Sequence, residues 1–192
     1  MDYPKSLQPL PSHAKKVFEG IIFDVWQWQQ EMFDGSIQTF EKVSRSSSVG
    51  IFPITKDGKI VLTIQEQPNM DEFISLVGGI VDVGEDVLAA AHRELLEETG
   101  SKTSDMELWY SVQPVTKVEW PIYVYVARNC EKIADLNLDA GEKIKLKYVT
   151  WEEFLEIIYL DEFRDKELTL YLLKLMKDKQ KFKELENFLF QR

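Results

Sequence analysis

Between Gly79 and Gly100 the chain sets four glutamates and one arginine at fixed intervals, in the order Gly79, Glu85, Arg93, Glu94, Leu95, Glu97, Glu98, Gly100. Carboxylates hold hard cations, and glycines let a backbone turn tightly and approach an ion or a phosphate. Together they describe a metal-assisted phosphate site, with a glycine turn at Gly78 and Gly79 followed directly by a helix carrying all four glutamates. At about 3.6 residues per turn, Glu94 and Glu98 lie about 40° apart and Glu97 about 60° to the other side of Glu94, so three carboxylates share one arc. Leu88, Ala91 and Leu95 recur at helical spacing beside them, which sets this stripe against a cleft wall. Like charges at such spacings each cost about 0.2–0.5 kcal/mol, a cost that a divalent ion removes. Magnesium suits oxygen ligands that join carboxylates to substrate phosphates, with manganese an alternative. Arg93 is expected to pair with a carboxylate and hold the stripe in one geometry.

Written with its gaps, the segment is Gly79-x5-Glu85-x7-Arg93-Glu94-Leu95-x-Glu97-Glu98-x-Gly100. Chance assembly of these positions in a chain of this length is on the order of one in a million. The spacing resembles the signature of the Nudix hydrolases, enzymes that cleave a nucleoside diphosphate linked to another group. The resemblance implies a metal held by Glu94 and Glu98 with Glu85 in support and the Gly78 carbonyl as a further ligand. Water would attack phosphorus, and either Glu97 or Glu142 would take its proton. In related enzymes the base can come from a loop after the signature, where Glu142 stands, placed for that role or for a further bond to the metal, with Asp139 a weaker candidate.

The elements around this segment read as an α/β layered domain. Val17 to Met32 is rich in β-branched and aromatic residues, Asp34-Gly35 marks a turn, and Ser36 to Val43 reads as a return strand, together an N-terminal antiparallel β element. The Ser44–Ser48 stretch marks a boundary, dividing residues 1–44 from 45–192. Val49–Ile54 and Lys59–Ile64 form a hairpin around Asp57-Gly58, and Phe73–Val77 leads into the glycines. Trp109–Val112 and Ile122–Ala127 read as strands, Thr150-Trp151-Glu152-Glu153 as a capping box opening a helix to about Tyr159, and the chain from Asp165 onward as helical. The resemblance implies a mixed sheet sandwiched between helices over about Arg45 to Tyr171.

Residues outside the signature suggest a branch. The N-terminal sheet, Arg45, the Glu66-Gln67 pair, Pro114 and Gly141-Glu142 are similar to the ADP-ribose and nucleoside-diphosphate-sugar pyrophosphatases. In those enzymes the N-terminal sheet commonly joins a homodimer and helps to form the substrate pocket. Arg45 and Gln67 then become candidate substrate contacts. Trp26, Trp28 and Trp120 are candidates for stacking on a base or sugar, since a π-face gives stacking energy without strict selectivity. Val77, Ser101, Gln65, Asn69 and Val115 depart from the usual pattern, and the last three leave the substrate open. A triphosphate or dinucleotide pyrophosphatase, or a catalytically silent nucleotide-sugar sensor, are the competing readings.

Composition narrows the classes. A formal charge of −10 in 192 residues, without a clustered basic surface, argues against nucleic acid. Lys174–Lys183 is interleaved with Leu175, Met176 and Phe182 and reads as a solvated helix face. Cys130, the single cysteine, excludes an intrachain disulfide and reads as a buried thiol just beyond a strand. His92 is expected to pack beside the apolar helix face. With no apolar run of spanning length and no secretory signal, the expectation is a cytoplasmic protein with no membrane contact.

Overall fold

The computed structural model describes residues 4–138, 141 and 143–191. The chain opens with β1 (Lys15–Glu19), β2 (Asp24–Glu31) and β3 (Ile37–Ser44). Two strands fill the Val17–Met32 region, because the Gly20 N–H donates to the Phe23 carbonyl at 3.0 Å and turns the chain back on itself. Next come β4 (Ser48–Thr55) and β5 (Ile60–Glu66), hinged at Asp57-Gly58, then β6 (Phe73–Ser75), β7 (Val77–Ile80) and α1 (Val87–Thr99). Beyond α1 lie β8 (Ser101–Lys102), β9 (Asp105–Val112), β10 (Val118–Glu119), β11 (Ile122–Lys132) and β12 (Lys143–Val149). Helices α2 (Trp151–Ile157), α3 (Lys166–Leu175) and α4 (Lys179–Phe190) complete the described chain.

Strands β1, β2, β3 and β10 form one sheet, in which β10 pairs parallel to β3. The larger mixed sheet runs β12-β5-β4-β11-β8, with β6 beside β5, β7 beside β4 and β9 beside β11. Its centre is the parallel pair β4 and β11, and side chains alternate across it as strand geometry requires. On one face Val49, Ile51, Tyr123 and Tyr125 meet Ala90, Ala91 and Leu95 of α1. On the other, Phe52, Ile54, Val124 and Val126 meet Trp151 and Phe154 of α2, Leu168 and Leu172 of α3, and Leu185 and Leu189 of α4. This is the α/β/α sandwich with a mixed sheet, preceded by antiparallel strands.

Local signals account for the helix ends. Thr150 and Glu153 form the expected capping box on α2, which stops at Ile157, short of Tyr159. Asp86 caps α1 by accepting from the Leu88 and Ala89 amides, so Glu85 lies ahead of the helix, which carries three of the four glutamates. Strand β11 continues through Cys130, whose buried thiol is pushed up to about 11 by desolvation. His92 is exposed, so the packing role expected of it is not realised. No helix among the described residues is long and apolar enough to cross a membrane.

One contact pins the turn that feeds the glycines. The Asp165 carboxylate, at the start of α3, accepts the Leu76 N–H at 2.7 Å and so makes no cap of its own helix. Burial pushes this carboxyl up to about 6, against the opposing effect of the Leu76 hydrogen bond. An acid whose folded-state pKa lies above its unfolded value binds more protons when folded, so its contribution is full below about pH 4 and lost as pH rises through about 6. Asp165→Asn keeps an acceptor for Leu76 and is expected to be about 1–3 kcal/mol more stable than the parent at pH 8, with the difference gone near pH 4. Urea unfolding at both pH values measures this; an equal effect at each would contradict a buried, titrating Asp165.

Candidate active site

Strand β7 brings Gly78 and Gly79 against Gly50 and Val49 of β4, with α1 packed across them. A Cβ at Gly78 would run into the Val49 carbonyl, and one at Gly79 would run into the Glu94 carboxylate. Glycine is required here by space, because the acidic helix lies directly on the turn. The Gly78 N–H donates to Glu98 Oε2 at 2.9 Å, and the Gln65 amide approaches Glu98 Oε1 at 3.4 Å. Glu94 and Glu98 are 9% and 4% exposed, so both carboxylates stand on the dry side of the helix.

Arg93 is the electrostatic centre of the group. Its Nε and Nη2 donate to the two oxygens of Glu85 at 2.9 and 3.0 Å, and its Nη1 donates to Glu94 at 2.7 Å and to Glu97 at 3.0 Å. The remaining Nη2 proton goes to the Ile80 carbonyl at 3.0 Å, so all five guanidinium donors are used. The Glu85 bond, ahead of those to Glu94 and Glu97, raises the arginine pKa, and Arg93 holds Glu85 below the ordinary carboxylate range.

Beside this cluster lies a cavity of about 660 Å³, lined by Glu94, Glu97 and Glu98 together with Gln65, Gln67 and Arg45. Gln67 is also part of a second cavity of about 470 Å³, with Glu66, Asn69, Asp71 and Lys143. Arg45, immediately after β3, makes no ion pair among the described residues, and its Nε is buried without a hydrogen-bond partner. Its guanidinium lies 4.7 Å from the Trp120 ring and 5.7 Å from that of Phe23. Desolvation lowers its pKa, yet an arginine remains charged.

The structure thus gathers Gly78, Arg93, Glu94, Glu97, Glu98, Arg45 and Gln67 around one cavity. Glu85 does not line it, being turned onto Arg93 and the Asp82 N–H. Trp120 stands behind Arg45. Trp26 and Trp28 lie apart from the cavity of their own chain: Trp26 bonds Ser44 and carries Lys16 over its ring, and Trp28 is buried against Phe40 and bonds Gln30. Glu142 and Asp139 fall outside the described residues. Gln65, Asp82 and Asn137 line the cavity without having been singled out as site residues. For Gln65 a signal exists, since Thr63 and Gln65 are polar at alternate positions of a strand that is apolar from Ile60 to Leu62 and at Ile64.

Among the described residues no three acidic, histidine or cysteine side chains converge tightly enough to enclose an ion unaided. Two buried carboxylates on a glycine turn still match the oxygen donors that magnesium takes from proteins, one or two carboxylates with the other positions left to water and substrate. The donor set therefore fits a hard divalent cation, the kind of metal that Nudix hydrolases generally use.

Comparison with known proteins agrees with this geometry. The NUDIX domain model matches residues 44–171. An ADP-ribose pyrophosphatase of Bacillus subtilis (strain 168) is 24% identical over 188 residues, covering 92% of this chain and 96% of the relative. A methanol dehydrogenase activator of Bacillus methanolicus is 29% identical over 149 residues, 76% of this chain and 80% of that one. Among solved structures, the crystal structure of an ADP compounds hydrolase superposes with a TM-score of 0.70 at 19% identity, over 93% of this chain and 98% of its own. The acidic helix, the sandwich that carries it and the matched segment converge on one assignment: this chain belongs to the Nudix family and is a hydrolase of pyrophosphate bonds.

Proposed function

We propose that the protein hydrolyses, with Mg²⁺, the diphosphate of a nucleoside diphosphate linked to a sugar, ADP-ribose or a nucleotide sugar, giving two monophosphates. The observation that carries this reading is the cavity lined both by the carboxylates Glu94, Glu97 and Glu98 and by Arg45, which is free of ion pairs among the described residues. Among the described residues of the cavity Arg45 is the one uncommitted cation, which suits the two charges of a diphosphate better than the greater charge of a triphosphate. The adjoining cavity, rich in amide and carboxylate groups and joined at Gln67, suits the hydroxyls of a sugar. The relative that is an ADP-ribose pyrophosphatase supports the same choice.

Glu94, Glu98 and the Gly78 carbonyl would hold the ion, which when bound neutralises the diphosphate and makes a bound water more acidic. Arg45, on the same cavity, orients the phosphate. The water oxygen bonds to one phosphorus as the bridging P–O bond breaks, and Glu97, half-buried on the cavity wall, takes the proton, a role for which Glu142 is the alternative. Arg93, with every donor committed, keeps the carboxylates in register and touches no substrate.

The same reading places the protein in the cytoplasm, in keeping with its lone buried thiol, and makes it a homodimer through the N-terminal sheet. Strand β1 is exposed along its whole length, and Phe18, Ile21, Ile22, Phe33 and Ile37 project from this sheet into solvent. An exposed edge with apolar side chains is a pairing surface.

Phosphorus NMR of ADP-ribose, a nucleotide sugar and a nucleoside triphosphate, each with Mg²⁺, is expected to show two monophosphates from the first two and little turnover of the third; preference for the triphosphate would refute the sugar reading. Glu98→Gln should lower kcat by about 100-fold or more while leaving the far-UV circular dichroism unchanged. Light scattering should give about twice the 22.4 kDa chain mass, and Phe18→Asp combined with Ile22→Asp should return it to one chain. A monomeric parent protein would rule the dimer out.

A further inference from the structure

Arg45 has no polar partner at its Nε, so what aims its guanidinium into the cavity is the aromatic face beside it. That face is itself held at both ends. The Trp120 ring N–H donates to Ser48 Oγ at 2.9 Å, and its backbone N–H donates to Gln113 Oε1 at 2.8 Å. Gln113 lies in the β9–β10 connection and is only 6% exposed. Its amide donates to Glu119 Oε1 and, at 3.4 Å, to the Pro4 carbonyl, so exchanging its N and O would set acceptor against acceptor there and donor against donor at the Trp120 N–H.

Glu119 is fixed in turn. Its other oxygen accepts from Lys42 Nζ at 2.5 Å, and its main-chain carbonyl accepts the Arg45 N–H at 3.1 Å. The Lys42 side chain is wholly buried, and its three protons go to Glu119, to Ser6 Oγ at 2.9 Å and to the Gln8 carbonyl at 2.6 Å. A buried ion pair is weak evidence for stability, since burying two charges costs about as much as their attraction returns. This one joins β3 to β10 at the point where Arg45 leaves the N-terminal sheet.

We propose that Gln113 is a positioning residue for Arg45, acting through Trp120, and that the buried Lys42–Glu119 pair holds Gln113 in place. The inference rests on Arg45 meeting the substrate diphosphate, as in the function proposed above. It gives the N-terminal segment a part in substrate binding without any contact of its own: residues 4–8 and Lys42 close a hydrogen-bonded relay that ends at Trp120, whose ring meets the Arg45 guanidinium.

A double-mutant cycle tests it. Gln113→Ala is expected to raise KM for ADP-ribose about 5–20-fold with a smaller change in kcat, and Arg45→Ala to raise it at least as much. The double variant should match Arg45→Ala alone to within about twofold, because Gln113 has nothing left to position. Ser48→Ala, which frees the other end of the indole at less risk to folding, should raise KM about 2–5-fold, again only while Arg45 is present. Multiplying KM effects in the double variant, or a Gln113→Ala protein with lowered melting temperature and unchanged KM, overturns the relay. Equilibrium binding of ADP to the same proteins separates this from the reaction itself. A non-additive cycle in Kd without hydrolysis sinks the reaction and keeps the relay; hydrolysis with additive effects does the reverse; neither binding nor hydrolysis overturns both.

Discussion

Everything at the acidic centre depends on one guanidinium. Three carboxylates on two turns of helix and a fourth on the preceding loop would repel one another, and Glu94 and Glu98 cannot relax into solvent because α1 lies on the glycine turn. Arg93 answers this with planar, forked donors that reach Glu85, Glu94 and Glu97 at once and close on the Ile80 carbonyl. A lysine, with three donors on a flexible stem, could not span the same set. The loop before the helix is thereby tied to the helix, and the carboxylate wall is formed before any ligand arrives.

The sandwich supplies the rigidity that this wall needs. Strands β4 and β11 are buried on both faces, so the sheet cannot slide by one residue without turning Ile51 and Phe52, or Tyr125 and Val126, into the wrong layer. Because β7 pairs with β4 and its glycines touch Glu94 and Glu98, this register is passed directly to the site. From the far side, Asp165 holds the Leu76 amide, so both layers of helices fix the same short segment of chain.

What was legible in the sequence was what depends on local periodicity. The acidic stripe, the capping box at Thr150 and the hairpin at Asp57-Gly58 follow from spacing over a few residues, and the structure contains them. Glu85 was misplaced on the helix because the Asp86 cap begins the helix two residues later than the run of signature residues suggests. The three-dimensional neighbours of Arg45 could not be read at all. Trp120 and Glu119 are more than seventy residues away in the chain and meet it only because β10 adds in parallel to β3. That Trp26 and Trp28 do not line the cavity of their own chain has the converse reason: a shared strand face says nothing of what that face looks toward, and here each indole has its own partners within the N-terminal sheet.

The closure of the Arg93 network makes the acidic wall electrostatically self-contained. Glu85, Glu94, Glu97 and the Ile80 carbonyl all fall within a stretch of eighteen residues, and the network's bonds leave out Arg45, Gln65 and Gln67, which line the same cavity. Substitution of Gln67 or Asn69, neither of which bonds to Arg93, therefore leaves the charge at the centre balanced. The charge of the acidic wall is settled inside one short stretch of chain, separately from the residues that complete the two cavities.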